Sequence, residues 1–245
     1  MTSTTGELFL GAAVALIAWL YSSVGHAGAS GYIALMTLAG FAPERIKPMA
    51  LLLNILVASI ASIQFYRAGH FSWKLFWPIA LLASPMAFLG GYWSLPLDWF
   101  KALLGLVLAG SAVWLLFPIQ VDKPTAEPTK PVAIAAGAGL GLLSGLTGTG
   151  GGIYLSPLLL WMGWAKTKTA SAVSAVFILV NSVSGLAGLA SSGRIMPAGW
   201  HWLAIFVIIG GSIGATLGSF KLPVRWARIL LSIVMCIAAA KLLAW

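Results

Sequence analysis

Long apolar runs, interrupted at short intervals by glycine, proline and charged residues, fill the chain from end to end. They predict ten segments: five at 8–21, 30–41, 48–66, 75–93 and 102–117, and five at 132–146, 153–164, 170–190, 202–220 and 229–245. A bilayer core takes about 20 apolar residues per helical crossing, so the pattern predicts an all-α integral membrane protein. The second segment is short and follows a glycine-rich break. The first two segments of a half therefore read either as full crossings or as a re-entrant pair. About eight full transmembrane helices follow, or up to ten segments when broken and re-entrant ones are counted.

The pattern also repeats. Leu95-Pro96-Leu97-Asp98-Trp99-Phe100-Lys101 matches Leu222-Pro223-Val224-Arg225-Trp226-Ala227-Arg228, each just before the last segment of its half. Gly25-His26-Ala27-Gly28-Ala29 falls opposite Gly148-Thr149-Gly150-Gly151-Gly152, and Ala68-Gly69-His70 opposite Ser192-Gly193-Arg194. Three correspondences in one order predict an internal duplication: an N-terminal repeat over 1–118 and a C-terminal repeat over 132–245. The proline-rich polar stretch at 119–131 reads as a cytoplasmic linker between them. Five crossings or three are both odd numbers, so the second half enters from the opposite face and the two homologous repeats are inverted.

Charge sets the orientation. One face receives Arg67, Lys74, Lys123, Lys130, Lys166, Lys168, Lys221, Arg225 and Arg228, and the other receives Arg45, Lys47, Lys101, Arg194 and Lys241. The richer face is cytoplasmic by the positive-inside rule. Both termini are then periplasmic, in a multi-pass protein of the bacterial inner (plasma) membrane.

Composition narrows the function. Hydrophobic residues make up 60% of the 245 and charged residues 8%, which no soluble domain of this size tolerates on its surface. No segment is left for an appended catalytic domain. Met1 to Glu7 holds no Lys or Arg, so the first apolar run is expected to be retained rather than cleaved as a signal peptide. Cys236 is the sole cysteine, which excludes an intrachain disulfide and a cysteine metal site. The net charge of +9 is read as helix-end charge facing lipid and cytoplasm, not as a nucleic-acid surface. Tryptophans at 73, 77, 93, 99, 161, 164, 200 and 202 cluster near segment ends, as interfacial anchors do.

The candidate chemistry sits at the two breaks. Tyr21-Ser22-Ser23-Val24-Gly25-His26-Ala27-Gly28 and Ser144-Gly145-Leu146-Thr147-Gly148-Thr149-Gly150-Gly151-Gly152 each interrupt an apolar run. Non-helical backbone at membrane depth is tolerated only where it is buried in protein or lines an aqueous cavity. Four glycines in five residues oppose helix, since each costs about 1 kcal/mol relative to alanine. An unwound turn there exposes the amides that begin the next helix, and these, with the helix dipole, favour an anion. Ser22, Ser23, Thr147 and Thr149 add hydroxyls, and Gly25, Gly28, Gly148, Gly150, Gly151 and Gly152 add close backbone approach. The competing reading is helix packing through small residues. A nucleotide P-loop is excluded because no Lys-Ser or Lys-Thr follows the glycines.

The five carboxylates, Glu7, Glu44, Asp98, Asp122 and Glu127, fall at segment ends or in loops. Cation sites and acidic proton relays place such groups inside the membrane, so the expected substrate is a small anion and no metal or other cofactor is called for. His26 is the one ionisable side chain at a break. It reads either as a donor to the anion or carrier of a coupling proton, or as a neutral histidine bonded to backbone. Asn54 and Asn181, in the third and eighth segments, read either as contacts to a bound oxyanion or as interhelical hydrogen bonds.

On Gly148-Thr149-Gly150-Gly151-Gly152 with Pro157 following, and on Lys168-Thr169-Ala170-Ser171-Ala172, the chain resembles the sulfite exporter TauE/SafE family of membrane transporters. The duplication agrees with it. His26, Ala27 and Ala29 depart from the family's glycine-richer pattern in the first half. The resemblance implies movement of sulfur-containing anions: sulfite, sulfoacetate and other sulfonates, or thiosulfate. The expectation is a secondary active transporter working by alternating access, with an anion channel of the same architecture as the alternative. An intramembrane enzyme is not expected, for no Asp pair, His-Glu metal motif or serine–histidine set is present. Import or export, and oligomeric state, are left open.

Overall fold

The computed structural model describes residues 4–93, 95–116, 126–193, 199–218 and 225–244. Within them the chain forms ten helices and no strand. These are α1 (Thr4–Ser22), α2 (Ala29–Leu38), α3 (Pro43–Arg67), α4 (Trp73–Tyr92), α5 (Leu97–Leu116), α6 (Lys130–Thr147), α7 (Gly152–Trp161), α8 (Thr167–Ser191), α9 (His201–Gly218) and α10 (Arg225–Leu243). Each of the ten apolar runs becomes one helix. Most of the linker, and the Leu222-Pro223-Val224 part of the second repeat motif, lie outside the described residues.

Five helices, α3, α4, α5, α6 and α8, are long and apolar enough to cross a membrane. The two runs after the breaks make helices of only 10 residues, α2 and α7. At 1.5 Å per residue such a helix covers about half of a 30 Å hydrocarbon core. Both stop for the same local reason. Gly40 and Gly163 take φ of +78° and +65°, which only glycine adopts cheaply. The amides of Phe41 and Trp164 then reach back to Met36 and Leu159 carbonyls at 3.0 and 2.8 Å, closing a Schellman-type end.

α4 runs along α6 and α8, α1 along α9, and α3 between α8 and α9, while α5 pairs with α10. Small residues permit the closest of these approaches. On α6, Gly137, Gly141 and Gly145 lie directly against the Ile79, Ala83 and Ala87 carbonyls of α4. Their spacing of four puts them on one helix face, a small-residue seam of the kind membrane helices use to meet. Leu81, Leu106, Ile205, Ile209, Ile213 and Ile237 point outward and are exposed, an apolar outer surface suited to acyl chains rather than water. Trp73, Trp93, Trp99 and Trp161 are exposed near helix ends as expected, but Trp164 is buried in the core beside α8 and is a packing residue.

The four described carboxylates keep out of the helix interiors: Glu44 and Asp98 sit in the first turns of α3 and α5, Glu7 near the start of α1, and Glu127 outside the helices, bridging to exposed Lys74 at 2.8 Å. Lys47 does not behave as a loop charge. α3 starts at Pro43, earlier than the apolar run suggests, and takes Lys47 into the protein, where it is buried.

The turn after α3 holds His70, whose imidazole titrates below its ordinary 6.5 because it is partly desolvated and because Lys168 and Lys166 lie near it. A folded-state pKa below the unfolded one means the unfolded chain binds more protons between the two values. Stability is therefore full above 6.5 and falls as pH drops through that window. An NMR titration of labelled histidine is expected to place the His70 midpoint below 6.5 and to show it rise in Lys168→Gln.

Candidate functional site

Both breaks are real, and the structure treats them differently. At the first, α1 ends at Ser22 and the amides of Ser23, Val24, Gly25 and His26 turn back onto the Trp19, Tyr21 and Ser22 carbonyls. The Ser22 and Ser23 hydroxyls donate to the Trp19 and Leu20 carbonyls at 3.3 and 2.7 Å, so their protons are committed to α1. Gly28, with φ +103°, lies under the Tyr32 ring, whose hydroxyl donates to the Ala27 carbonyl at 2.7 Å. Ser171 of α8 closes the turn by donating to the Val24 carbonyl at 2.8 Å. This first break is largely satisfied by itself.

The second break is more open in its bonding. Gly148 ends α6 with φ +78°, and Gly150 and Gly151 follow at +75° and +82°. Gly151 precedes α7 with no side chain capping the helix start. The first amides of any helix lack intrahelical partners, and here no side chain supplies one. Thr147 gives its proton to the Leu143 carbonyl at 2.7 Å, and its oxygen lies 2.9 Å from the Thr149 hydroxyl, which donates to Tyr154 at 3.2 Å.

α3 and α8 cradle this turn. Asn54 of α3 donates from its amide nitrogen to the Thr149 carbonyl at 3.2 Å and reaches Ser182 Oγ at 3.4 Å. Its amide oxygen is buried with no hydrogen-bond partner among the described residues. A Cβ at Gly150 would stand 2.5 Å from the Asn54 nitrogen and 2.9 Å from Ser182 Oγ; one at Gly151 would stand 2.8 Å from Phe177 Cε1 and 3.5 Å from the Asn181 nitrogen. Asn181 of α8 is 0% exposed, and neither its amide nitrogen nor its oxygen has a partner among the described residues. The Ser144 hydroxyl, also beside Gly151, is buried and unpartnered in the same sense. An unsatisfied buried polar group costs about 1–3 kcal/mol, and three side chains bear that cost around one helix start.

The two breaks meet here. A Cβ at Gly152 would lie 3.6 Å from His26 Cδ2, so the first break's imidazole stands at the start of α7. The structure thus gathers His26, Asn54, Thr147, Thr149, Gly150, Gly151, Gly152 and Asn181 around the second break, with Gly148 against α3. It leaves Ser22, Ser23, Gly25 and Gly28 within the first. Sequence reading placed Ser144 in the second break and Ser182 among the polar residues of the eighth segment, but gave neither a role at the site, and it did not single out Tyr154 or Lys47; the signal for Lys47 was a lone lysine directly before an apolar run, indistinguishable from a loop charge.

Beyond Tyr154, a cavity of about 440 Å³ lies between α5 and α7, lined by Leu106, Gly110, Ser111 and Trp114 on one side and Ile153, Tyr154, Pro157 and Trp161 on the other. It is mostly apolar, and Tyr154 links its wall to Thr149. Among the described residues no group of three or more His, Cys, Asp or Glu forms a metal cluster.

Apolar helices of crossing length around a buried polar turn place the chain among multi-pass helical membrane proteins. The pattern that defines the Sulfite exporter TauE/SafE family matches residues 10–242, and the chain belongs to that family of membrane transporters. It is 40% identical over 245 residues to a probable membrane transporter protein of Sinorhizobium fredii, covering 98% of this chain and 99% of that one. A probable membrane transporter protein of Methanocaldococcus jannaschii is 26% identical over 197 residues, 74% of this chain and 72% of its own. No solved structure matches.

Proposed function

We propose that this protein is a secondary transporter that moves a small sulfur-containing anion (sulfite, a sulfonate such as sulfoacetate, or thiosulfate) across the bacterial inner membrane. The anion is held at the start of α7, and access alternates between the two sides of the membrane. One observation carries the reading: the wholly buried, unpartnered amide of Asn181 beside an uncapped helix N-terminus. A helix start favours negative charge by about 0.3–1 kcal/mol, and up to ~2 kcal/mol when partly buried. A guest oxyanion takes hydrogen bonds from the α7 amides and the Asn181 nitrogen, which removes the cost of leaving them unmade. Gly150 and Gly151 let the turn lie close against Asn54, Ser182 and Phe177, and His26, beside the start of α7, hands a proton to or from the guest in this reading.

Two features support alternation. First, the helices of residues 1–118 and 132–245 pair off in order, with lengths of 19 and 18, 10 and 10, 25 and 25, 20 and 18, and 20 and 19 residues. Exchanging halves turns the α4–α6 packing into α9–α1, α4–α8 into α9–α3, and α2–α3 into α7–α8, each of which is present. This supports two repeats, inverted in the membrane, with eight long helices crossing and two half-helices ending midway. Second, one exchange fails. α2 packs along α10, with Lys241 donating to the Thr37 carbonyl at 2.9 Å and Tyr21 to Met235 Sδ at 3.1 Å, whereas α7 barely touches α5 and leaves the cavity between them. Close packing on one side and a cavity on its counterpart support a carrier held in one of its states.

The test is calorimetry of the purified protein with sulfite, sulfoacetate and thiosulfate, repeated on Asn181→Leu. Removing an unpaired buried amide in favour of an apolar group of similar size is neutral or stabilising by about 1 kcal/mol. The variant is therefore expected to melt no earlier than the parent while its affinity drops roughly 100-fold, the equivalent of about 2.7 kcal/mol. Unchanged affinity would move the site elsewhere. In proteoliposomes, flux that saturates and is accelerated by anion on the far side marks a carrier; unitary currents mark the channel reading.

A further inference from the structure

We propose that the cavity between α5 and α7 receives the carbon tail of the transported anion, so that the guest is an amphiphilic organic sulfonate with a charged head at the start of α7 and an apolar alkyl or aryl body along it. The inference rests on the reading that an anion binds at that helix start, and adds the shape and polarity of the rest of the guest.

On α7 the cavity is lined by Ile153, Tyr154, Pro157 and Trp161. Steps of three and four put Tyr154, Pro157 and Trp161 on one helix face. Ile153 is the second residue of α7 and Trp161 its last, so the cavity is a slot about 12 Å long at 1.5 Å per residue. Gly110 and Ser111 of α5 line the facing wall. The first turn of α7 thus serves two places at once. Its amides begin the proposed anion site, and Ile153 and Tyr154 form one end of the slot. Tyr154 joins the two directly, since it lines the slot and its hydroxyl accepts from Thr149 at 3.2 Å.

Size and polarity name the class. A volume of about 440 Å³ falls in the range of about 300–1,000 Å³ typical of sites for small organic molecules. A guest as small as sulfite, held at the start of α7, leaves that space unfilled. Protein interiors keep few voids larger than a water, because the lining atoms lose their dispersion contacts. Helix pairing does not force the gap, since the equivalent pair α2 and α10 is closed. The lining carries no charged side chain, and burying an unpaired carboxylate is costly. The tail is therefore apolar, and sulfoacetate, with a carboxylate at its far end, fits poorly. Ser111 adds one buried hydroxyl with no partner among the described residues, open to a guest that carries a neutral polar atom at that depth. A lipid acyl chain is the rival occupant, because exposed Leu106 and Trp161 edge the slot; it would fill the slot whether or not an anion is bound.

The experiment is calorimetry of the purified protein with sulfite, sulfoacetate and the series methane-, ethane-, propane- and butanesulfonate. Gly110→Phe and Asn181→Leu are titrated beside the parent. A carbon added at Gly110 meets nothing within 4 Å, so the ring is accommodated and takes up space at the slot wall. Gly139→Phe is the control, equally free of neighbours but on α6 and not in the lining. The parent is expected to bind butanesulfonate roughly 30-fold more tightly than methanesulfonate, about threefold for each methylene taken out of water. Sulfoacetate should bind more weakly than propanesulfonate. Gly110→Phe should cut the gain to about threefold and leave sulfite and methanesulfonate within about twofold of the parent, while Gly139→Phe keeps the full gain. A flat series in the parent, which an acyl chain or detergent filling the slot produces, overturns the tail assignment; loss of sulfite binding in Asn181→Leu would then leave the head site standing. A gain undiminished in Gly110→Phe overturns it too, because the tail then lies elsewhere. No binding by the parent, or none lost in Asn181→Leu, removes the α7 site and this inference with it. Should Gly110→Phe not yield folded protein, Gly110→Leu carries the same comparison.

Discussion

Gly150→Ala is expected to abolish anion binding while leaving the helix bundle folded. Gly150 has φ +75°, a region that costs a residue with a Cβ about 1–2 kcal/mol. The new methyl would also stand 2.5 Å from the Asn54 amide nitrogen, 2.8 Å from Ile178 Cγ2 and 2.9 Å from Ser182 Oγ, closer than van der Waals contact permits. The turn must move away from α3, and the Asn54–Thr149 bond goes with it. Overpacking of this kind costs about 1–3 kcal/mol, small against the whole bundle but decisive for a site whose donors must stay within a few tenths of an ångström. Gly69→Ala is the control. Its φ is +73°, yet nothing lies within 4 Å of the added carbon, so it bears the backbone cost alone. Calorimetry should find binding in Gly69→Ala and none in Gly150→Ala, with both eluting as folded protein in detergent. Parent-like affinity in Gly150→Ala would remove the second break from the site.

Gly141→Leu is expected to have the largest effect on folding. The carbon added at 141 would overlap the Ala83 carbonyl oxygen and crowd the Ala83 backbone. Backbone cannot rotate away as a side chain can, so α4 and α6 must separate along the whole seam of Gly137, Gly141 and Gly145. The lost packing cannot be recovered elsewhere, because association of helices in lipid depends on close contact rather than on escape from water. Gly139→Leu on the same helix meets nothing within 4 Å and gains up to about 1 kcal/mol in helix propensity. Size-exclusion chromatography in detergent should give a sharp peak for Gly139→Leu and aggregate or no protein for Gly141→Leu. A folded Gly141→Leu would mean that α4 and α6 tolerate a wider spacing than their carbonyl contacts indicate.

The glycines mark both what can be read from a chain like this and what cannot. Gly137, Gly141 and Gly145 are as visible in the sequence as Gly148, Gly150 and Gly151, and composition gives no reason to separate them. The former have helical φ and serve packing; the latter have positive φ and form a turn. Of the two readings offered for glycine-rich stretches, close packing holds for Gly137, Gly141 and Gly145, and the proposed site rests on the others. The hydroxyls divide in the same way. Ser22, Ser23 and Thr147 look like donors beside a break, yet each gives its proton to a carbonyl three or four residues back, a local bond that any serine or threonine ending a helix can make. Asn54 and Asn181 were equally open to packing or binding. The structure pairs the Asn54 nitrogen with Thr149 and leaves both ends of the Asn181 amide unpartnered, and no periodicity encodes that difference.

By itself the sequence determined that the chain is helical, that it lies in a membrane, where its ten helices fall and where two of them break. Those properties follow from local terms: transfer of apolar residues out of water, the backbone cost of glycine, and the exclusion of carboxylates from lipid. Tertiary structure alone decided which break is spent on its own hydrogen bonds and which is ringed by unpartnered buried side chains, that Lys47 is buried rather than in a loop, and that α2 closes on α10 while α7 stands apart from α5. Each of these depends on which residue of a distant helix arrives opposite, and contact across the bundle is not a property of any stretch of chain.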